Sequence, residues 1–183
     1  MRRWKISGRF YLCKSKMKNL QKELEKRRRK DLGYLIPADK VLYNEVIKKM
    51  ISPFKNKGIN KVMAIDMKGL LYGPVIAYKL KLPFVPILKG GKVNREVVVR
   101  KEFIDYSKKK KSIEIAKISI KKGDKILLVD DFFESGKTGR TAIELIEKLG
   151  GEIKGISVIY DKLNEDDIKF FNKYNYHYLI KLK

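Results

Sequence analysis

Apolar segments of two different periods alternate along the chain from Ala38 onward. Runs of nearly continuous apolar residues predict buried strands at 61–65, 84–88, 125–129 and 153–160. Segments with apolar residues at helical spacing precede or separate them, at 40–51, 69–80 and 138–149. Because strands joined by helices lie parallel and are covered on both sides, the pattern predicts an α/β fold. We expect a doubly wound, mostly parallel sheet with helices on both faces.

The third predicted strand ends in two adjacent carboxylates, Asp130 and Asp131. The short loop that leads from them into the next helix includes Ser135, Gly136, Lys137 and Thr138. Ligands of open α/β sheets bind at the carboxyl ends of the strands, and a helix amino terminus presents free amide groups to a phosphate. Carboxylates repel phosphate but accept hydrogen bonds from sugar hydroxyls or hold a hydrated cation. The segment therefore predicts a site for a phosphorylated sugar.

Two other interpretations of this segment are weaker. The nucleotide-binding loop GxxxxGK[ST] is absent, because SGKT matches only the end of that pattern and the upstream glycine is missing. The segment could also be a strand, an acidic turn and a capped helix that bind no ligand. This is less favoured, because two adjacent carboxylates at a strand end destabilise a fold unless a function requires them. The segment thus favours a sugar-phosphate site over an ATPase loop or a ligand-free turn.

The chain of 183 residues carries a formal net charge of +23. Such a charge attracts phosphates, polynucleotides or acidic surfaces and does not choose among them. The single cysteine, Cys13, excludes an internal disulfide framework and a multi-cysteine zinc site. The basic amino terminus has no apolar signal core, and no apolar run is long enough to span a bilayer. We therefore expect a soluble, cytoplasmic protein with no membrane partner.

Residues 1–36 form a basic segment with 13 Lys and Arg residues against 3 acidic ones. Met17, Leu20 and Leu24 recur at helical spacing and predict a helix that carries the Arg and Lys run after it. No aromatic stacking pattern accompanies the charge, so a solvated or partner-docking helix is favoured over a nucleic-acid arm. We expect this extension to precede one catalytic domain over 37–183.

The segment VDDFFESGKT resembles the phosphoribosyl diphosphate motif of the type I phosphoribosyltransferases. From about 62 to 161 the chain is similar in its order of segments to the adenine phosphoribosyltransferases. AIDMKGLLYGPVIAYKLKLPFVPILKGGK resembles their segment of Ala-Arg-Gly-Phe type, the helix after it and their Arg-Lys-x-Gly-Lys strand end. The resemblance implies the type I phosphoribosyltransferase fold, a small amino-terminal hood and a homodimer. It also implies transfer of a phosphoribosyl group from phosphoribosyl diphosphate to a purine, in purine salvage.

The resemblance further implies the roles of individual residues in binding that substrate. Asp130 and Asp131 would bind the two ribose hydroxyls, and the loop after them would hold the 5-phosphate through backbone amides and two hydroxyls. The residues of this loop are Glu134, Ser135, Gly136, Lys137 and Thr138. The diphosphate would be neutralised by Lys68, Lys89 and Lys92. Mg²⁺ is the implied cofactor, carried by the substrate and without a direct ligand from the chain.

The segment 95–115 resembles the mobile lid of the family, with Asp105 and Tyr106 at its Glu-Tyr positions and Arg100 within it. The lysines at 108–111 lie between two β-like stretches and predict a hairpin tip or a mobile loop. A lid would keep water away from a reactive sugar cation. Asp105 is a candidate general acid or base for the purine proton, and an ordinary loop aspartate is the alternative.

Two residues indicate different purine bases. Glu134 is acidic, as in the 6-oxopurine enzymes, which favours hypoxanthine or guanine and makes it a second candidate catalytic residue. Asp161 follows a predicted strand, and its carboxylate would accept from the amino group of adenine and repel a carbonyl oxygen. Lys162 beside it weakens that inference, because a shift of one residue would restore the lysine of the oxopurine enzymes. The prediction is a purine phosphoribosyltransferase that favours adenine, with a hypoxanthine or guanine enzyme as the alternative.

A protein of another class with the same fold is the second alternative. Regulators of this fold keep the phosphoribosyl diphosphate pocket and bind nucleic acid through a basic face, and the charge of this chain suits that role. A pure sensor does not need the lid or the lysines for the leaving group. Because both are present in the sequence, the enzyme is favoured and nucleic acid remains a less favoured partner.

Overall fold

The structure is a computed structural model that describes residues 20–29, 33–91, 93–104 and 108–182. Its α-helices are α1 (Leu20–Arg29), α2 (Lys40–Ile51), α3 (Gly73–Leu80), α4 (Lys137–Lys148) and α5 (Glu165–Asn172). Its strands are β1 (Lys61–Ile65), β2 (Phe84–Lys89), β3 (Val98–Ile104), β4 (Lys110–Ala116), β5 (Lys125–Phe133), β6 (Glu152–Asp161) and β7 (Tyr176–Lys181). Short 3-10 helices lie at Gly33–Ala38, Ser52–Phe54, Lys68–Leu71, Arg95–Val97 and Lys117–Ser119. No helix within the described ranges is long and apolar enough to cross a membrane.

The strands form one sheet in the order β3-β4-β2-β1-β5-β6-β7. β2, β1, β5, β6 and β7 run parallel to one another, and they include the four strands predicted from the sequence. β4 joins β2 antiparallel, and β3 pairs antiparallel with β4 from Val98 opposite Ala116 to Ile104 opposite Lys110. The predicted α/β class and mostly parallel sheet are therefore confirmed, with an antiparallel hairpin added at one edge.

Helices cover both faces of the sheet because successive residues of a strand point to opposite sides. Along β1, Val62 and Ala64 pack in the same hydrophobic cluster as α1, α2 and α3. Met63 and Ile65 pack in a second cluster with α4 and α5. All residues of β1 are buried, which explains why its sequence is a continuous apolar run and does not alternate.

The predicted helix over 69–80 is interrupted at its start. The α-helix begins only at Gly73, and the 3-10 turn Lys68–Leu71 precedes it. Pro74 lies in the first turn of α3, where the N–H that proline lacks has no helical partner to lose. The interruption places the turn, and not the side of a helix, against the end of β5.

β5 continues beyond the predicted strand end at 129, through the acidic pair to Phe133. The 3-10 turn can lie directly on this part of β5 because it presents a glycine there. A Cβ atom at Gly69 would lie 3.0 Å from Oδ1 of Asp130 and 3.1 Å from the carbonyl oxygen of Val129. A side chain at this position would require the turn or the acidic pair to shift by a few tenths of an ångström.

The described part of the basic segment forms α1, which packs on the sheet, and the start of the 3-10 helix Gly33–Ala38. Leu24 is fully buried, and the hydroxyl of Tyr160 donates a hydrogen bond of 3.0 Å to its carbonyl oxygen. The guanidinium of Arg27 contacts the carboxylate of Asp39 at 3.3 Å. Leu24 and Ile36 belong to the same cluster as α2, although both precede the predicted domain boundary at 37.

We expect Leu24→Ala to lower the free energy of unfolding by about 2–5 kcal/mol, because it leaves a cavity beneath α1. Lys26→Ala is the matched control, since Lys26 is exposed on the same helix and alanine preserves the helix. Urea unfolding of both variants, followed by circular dichroism, measures the difference. Equal stability of the two variants would show that α1 is not packed on the core.

Candidate functional site

A cavity of about 580 Å³ opens where the parallel strands end. Its walls are the segments 65–68, 89–90, 110–113 and 130–139, together with Phe103. The first, second and fourth of these segments include the carboxyl ends of β1, β2 and β5 and the residues after them, and the third belongs to β4. The cavity thus lies at the edge of the sheet where ligands of open α/β folds bind.

The acidic pair forms one wall of the cavity. The amide N–H of Asp131 donates a hydrogen bond of 2.8 Å to Oδ1 of Asp130. Burial raises the pKa of Asp130 well above its usual range, and the neighbouring charge of Asp131 raises it further. Burial also raises the pKa of Asp131, although the ammonium of Lys68, 3.8 Å from its carboxylate, acts in the opposite direction. Two carboxylates held this way are costly unless a ligand supplies hydroxyl donors or a cation.

The amino terminus of α4 forms the wall beside the acidic pair. Gly136 precedes the helix with a φ of +65°, and a Cβ atom there would lie 2.6 Å from the ring of Phe171. A glycine at this position also provides no side-chain oxygen to cap the amides of the first turn. Ser135, Lys137 and Thr138 line the cavity around these amides. The arrangement suits a bound phosphate, since free amides and the positive end of the helix dipole meet there.

Several lysines surround the same cavity. Lys68 reaches it from the 3-10 turn after β1, and Lys89 reaches it from the end of β2. Lys110 and Lys111 line it from β4, on the hairpin. The structure therefore brings two of the three lysines predicted to bind diphosphate to the cavity, and Lys92 lies outside the described residues.

Glu134 and Asp161, the two residues that indicated different bases, lie in different environments. Glu134 lines the cavity, and its carboxylate lies 3.3 Å from the ammonium of Lys162. Asp161 does not line the cavity, and its side chain is fully buried. It accepts hydrogen bonds from the Tyr176 hydroxyl at 2.8 Å and from the Lys181 ammonium at 2.6 Å.

The predicted purine contact of Asp161 is therefore not brought to the cavity. In the sheet β6 lies between β5 and β7, and Asp161 stands opposite Phe133 on one side and Lys181 on the other. Its carboxylate also accepts from the amide of Leu163, at 3.2 Å. These contacts hold the chain just after β6, so that Lys162 lies beside Glu134.

The predicted lid residues are only partly described. Asp105 and Tyr106 lie outside the described residues. Arg100 lies on β3, and its guanidinium pairs with Glu114 of β4 instead of lining the cavity. Phe103 of β3, which stands opposite Lys111 of β4, also lines the cavity.

Asp66, Phe132 and the cavity-facing part of the hairpin line the cavity but were not predicted from the sequence. Asp66 directly follows β1, so the rule that identified the pair at the end of β5 also applies to it. Phe132 continues β5 beyond the pair, and the guanidinium of Arg28 on α1 lies 5.0 Å from its ring centroid. Lys110 and Lys111 were hidden because a lysine run is usually a solvated tip, and only the antiparallel pairing of β4 with β2 turns them to the cavity.

A family model for the phosphoribosyl transferase domain matches residues 37–178. An adenine phosphoribosyltransferase of Clostridium botulinum is 36% identical over 154 residues, which cover 80% of this chain and 88% of that protein. The solved structure of adenine phosphoribosyltransferase from Thermoanaerobacter pseudethanolicus has a TM-score of 0.73 at 27% identity, over 80% of this chain and 84% of that one. The enzyme of Giardia lamblia, solved with 9-deazaadenine, has a TM-score of 0.73 at 26% identity, over 84% and 86% of the two chains.

We expect Asp130→Asn to raise the free energy of unfolding at pH 7. The raised pKa means that the folded state disfavours the charged carboxylate, a penalty present above the folded pKa and lost as the pH falls through it. Asparagine carries no charge and keeps the oxygen that accepts from the Asp131 amide. The advantage of the variant should therefore shrink between pH 7 and pH 4, as measured by urea unfolding at several pH values.

The matched control for this pH series is Asp166→Asn, at an exposed carboxylate in the first turn of α5. The helix dipole stabilises a negative charge in the first turn, and asparagine removes that charge. The control should therefore be slightly less stable than the wild type at pH 7. An Asp130→Asn variant that is also less stable at pH 7 would mean that nearby lysines outweigh the cost of burial.

Proposed function

The chain belongs to the phosphoribosyl transferase domain family, and we propose on that basis that it is a purine phosphoribosyltransferase that favours adenine. It transfers the phosphoribosyl group of phosphoribosyl diphosphate to a ring nitrogen of the base, giving a nucleoside monophosphate and diphosphate. One observation carries the proposal. A single cavity combines a buried acidic pair, an uncapped helix amino terminus and several lysines, which are the groups that a sugar with phosphates at both ends requires.

The 5-phosphate binds at the amino terminus of α4 in this proposal. Its oxygens accept from the first-turn amides and from the hydroxyls of Ser135 and Thr138, which line the cavity beside them. Asp130 and Asp131 accept hydrogen bonds from the ribose hydroxyls, which offsets part of the cost of burying two carboxylates. The sugar is thereby oriented with its anomeric carbon toward the lysines.

The diphosphate leaves toward Lys68 and Lys89. Departure of this group builds positive charge on the ribose and negative charge on the diphosphate oxygens. Ammonium groups already in place stabilise that negative charge as it develops, without reorganising water. Lys110 and Lys111 of β4 line the same cavity, with the ammonium of Lys110 paired to Glu102 at 2.6 Å, and the sequence adds Lys92 after Gly91.

The cavity also fits a Mg²⁺ ion that enters with the diphosphate. The groups of the cavity that would bind the ion are carboxylates. Asp130 and Asp131 lie on one wall, and Asp66 lies beside Lys89 on another. Mg²⁺ in phosphate sites takes one or two protein carboxylates and completes its shell with water and phosphate oxygens. The described residues contain no cluster of three or more His, Cys, Asp or Glu side chains that would hold a metal without the substrate. The ion, when bound, would supply further charge stabilisation for the leaving group.

The purine binds near Glu134 and Phe132 in this proposal. A carboxylate at this point can accept the ring proton that is released when a purine nitrogen attacks the sugar. Asp105 remains the other candidate for that proton, from the sequence alone. The adenine assignment is supported by the named activity of the relatives, since the buried contacts of Asp161 remove it as an argument for either base.

A hypoxanthine or guanine enzyme remains the second candidate because of one contact. The ammonium of Lys162 lies 3.3 Å from Glu134 at the edge of the cavity, where it can donate to a 6-oxo group. Homodimer formation, implied by the resemblance, stays a prediction.

We expect diphosphate release when the protein is incubated with phosphoribosyl diphosphate, Mg²⁺ and adenine. Parallel reactions with hypoxanthine, guanine and xanthine measure the choice of base, and kcat/KM should be highest for adenine. Faster turnover of an oxopurine would replace the adenine assignment with the alternative that Lys162 supports. The absence of turnover with all four bases would contradict the proposal that the protein is a purine phosphoribosyltransferase.

We expect Asp131→Asn to lower kcat/KM by about a hundredfold or more while the circular dichroism spectrum is unchanged, because the carboxylate that binds the ribose is lost. The side-chain oxygens change in charge but little in shape, so the fold should persist. Asp166→Asn, at an exposed carboxylate of α5, serves as the matched control and should keep wild-type activity. Wild-type activity in Asp131→Asn would show that the acidic pair has been misassigned.

A further inference from the structure

Protein groups hold four backbone amides at the end of β2 and in the loop that follows it. The amide of Lys89 donates to Oδ2 of Asp66 at 3.3 Å, and the amide of Gly90 donates to the carbonyl oxygen of Ser112 at 2.8 Å. The amides of Gly91 and Val93 both donate to one carboxylate, at 3.1 and 2.9 Å. These four amides are therefore already engaged within the protein and are not available to an anion.

That carboxylate belongs to Glu114 of β4, whose side chain is fully buried. Besides the two loop amides, it accepts from Nε of Arg100 on β3 at 2.9 Å, and it also pairs with the second guanidinium nitrogen. One side chain thus links β3, β4 and the loop. Burying a carboxylate is costly, and the combination of a guanidinium and two amides provides the compensation that such burial needs.

The loop also lies unusually close to β4. A Cβ atom at Gly90 would lie 1.9 Å from Oγ of Ser112, so only a glycine permits this approach. The close contact at Ser112 and the hydrogen bonds of Glu114, two residues further along β4, act on the same few residues. The position of Lys89 at the cavity is therefore set by β4 and not only by β2.

We infer that Glu114 is a positioning residue for the diphosphate group: its buried carboxylate holds the loop so that Lys89 faces the leaving group. The inference rests on the proposed function and extends it, because Glu114 does not itself touch the substrate. Since these four amides are occupied, the anion is bound here through the Lys89 side chain. A flexible lysine is effective there only when its backbone is held in place before the substrate arrives.

The test uses Glu114→Gln, which preserves the shape of the side chain but leaves it one acceptor oxygen and adds a donor. At least one loop amide then loses its acceptor, and Arg100 loses its charge partner. We expect KM for phosphoribosyl diphosphate and Kd for Mg²⁺-diphosphate, measured by calorimetry, to rise about tenfold or more. KM for adenine should stay within about twofold, because the base binds at the other end of the cavity.

A second variant separates positioning from stability. Arg100→Met combined with Glu114→Gln removes the unpaired guanidinium, so the melting temperature should recover relative to the single variant. The loop amides still lack their carboxylate, so the raised KM for phosphoribosyl diphosphate should remain. Glu144→Gln is the matched control, because Glu144 lies on α4 and pairs with Lys101 of β3.

Three results would overturn the role of Glu114. They are an unchanged KM for phosphoribosyl diphosphate in Glu114→Gln, an equal rise of both KM values, or a KM that recovers together with the melting temperature in the double variant. Turnover by the wild-type protein tests the proposed function separately. An active wild type with any of these results therefore contradicts the positioning role alone.

Discussion

The structure around the cavity depends on two adjacent carboxylates at the buried end of β5. Burial raises the pKa of both Asp130 and Asp131, so their charge has to be offset by cations or used by hydrogen-bond donors. Gly69 lets the 3-10 turn after β1 lie directly on this end of β5, which brings Lys68 to within 3.8 Å of Asp131. Gly136 leaves the first turn of α4 uncapped on the next wall. A fold keeps such an arrangement where a ligand compensates for it.

The large positive charge of the chain has more than one role. In α1 it is structural, since Arg27 contacts Asp39 and Arg28 lies over the ring of Phe132. At the cavity it is chemical, since lysines from three separate segments surround the place proposed for the leaving group. Lysine side chains contact the anion there because four backbone amides at the end of β2 and in the loop after it are already bonded to Asp66, Glu114 and a carbonyl of β4.

Position in the sheet decides what an acidic residue does. Asp130 and Asp161 both lie near the carboxyl end of a parallel strand, and in the sequence both appear as an aspartate after an apolar run. β5 borders the cavity, so Asp130 faces a ligand site. β6 is flanked in the sheet by β7, and Lys181 of β7 forms an ion pair with the carboxylate of Asp161. Lys162, the next residue, lies beside Glu134, and this contact is the one that supports the oxopurine alternative.

Local properties of the chain were enough to predict the α/β class, the parallel strands and the acidic segment, because buried strands and a strand end followed by a helix leave clear patterns in residue type. Residues that reach the cavity through pairing between distant segments left no such pattern. Lys111 looks like one more surface lysine until β4 pairs with β2, and Glu114 looks like a surface acid until β3 and the loop close around it. The sequence alone thus determined which chemistry the chain carries, while tertiary structure decided which charged residues meet, because their burial depends on contacts with segments far along the chain.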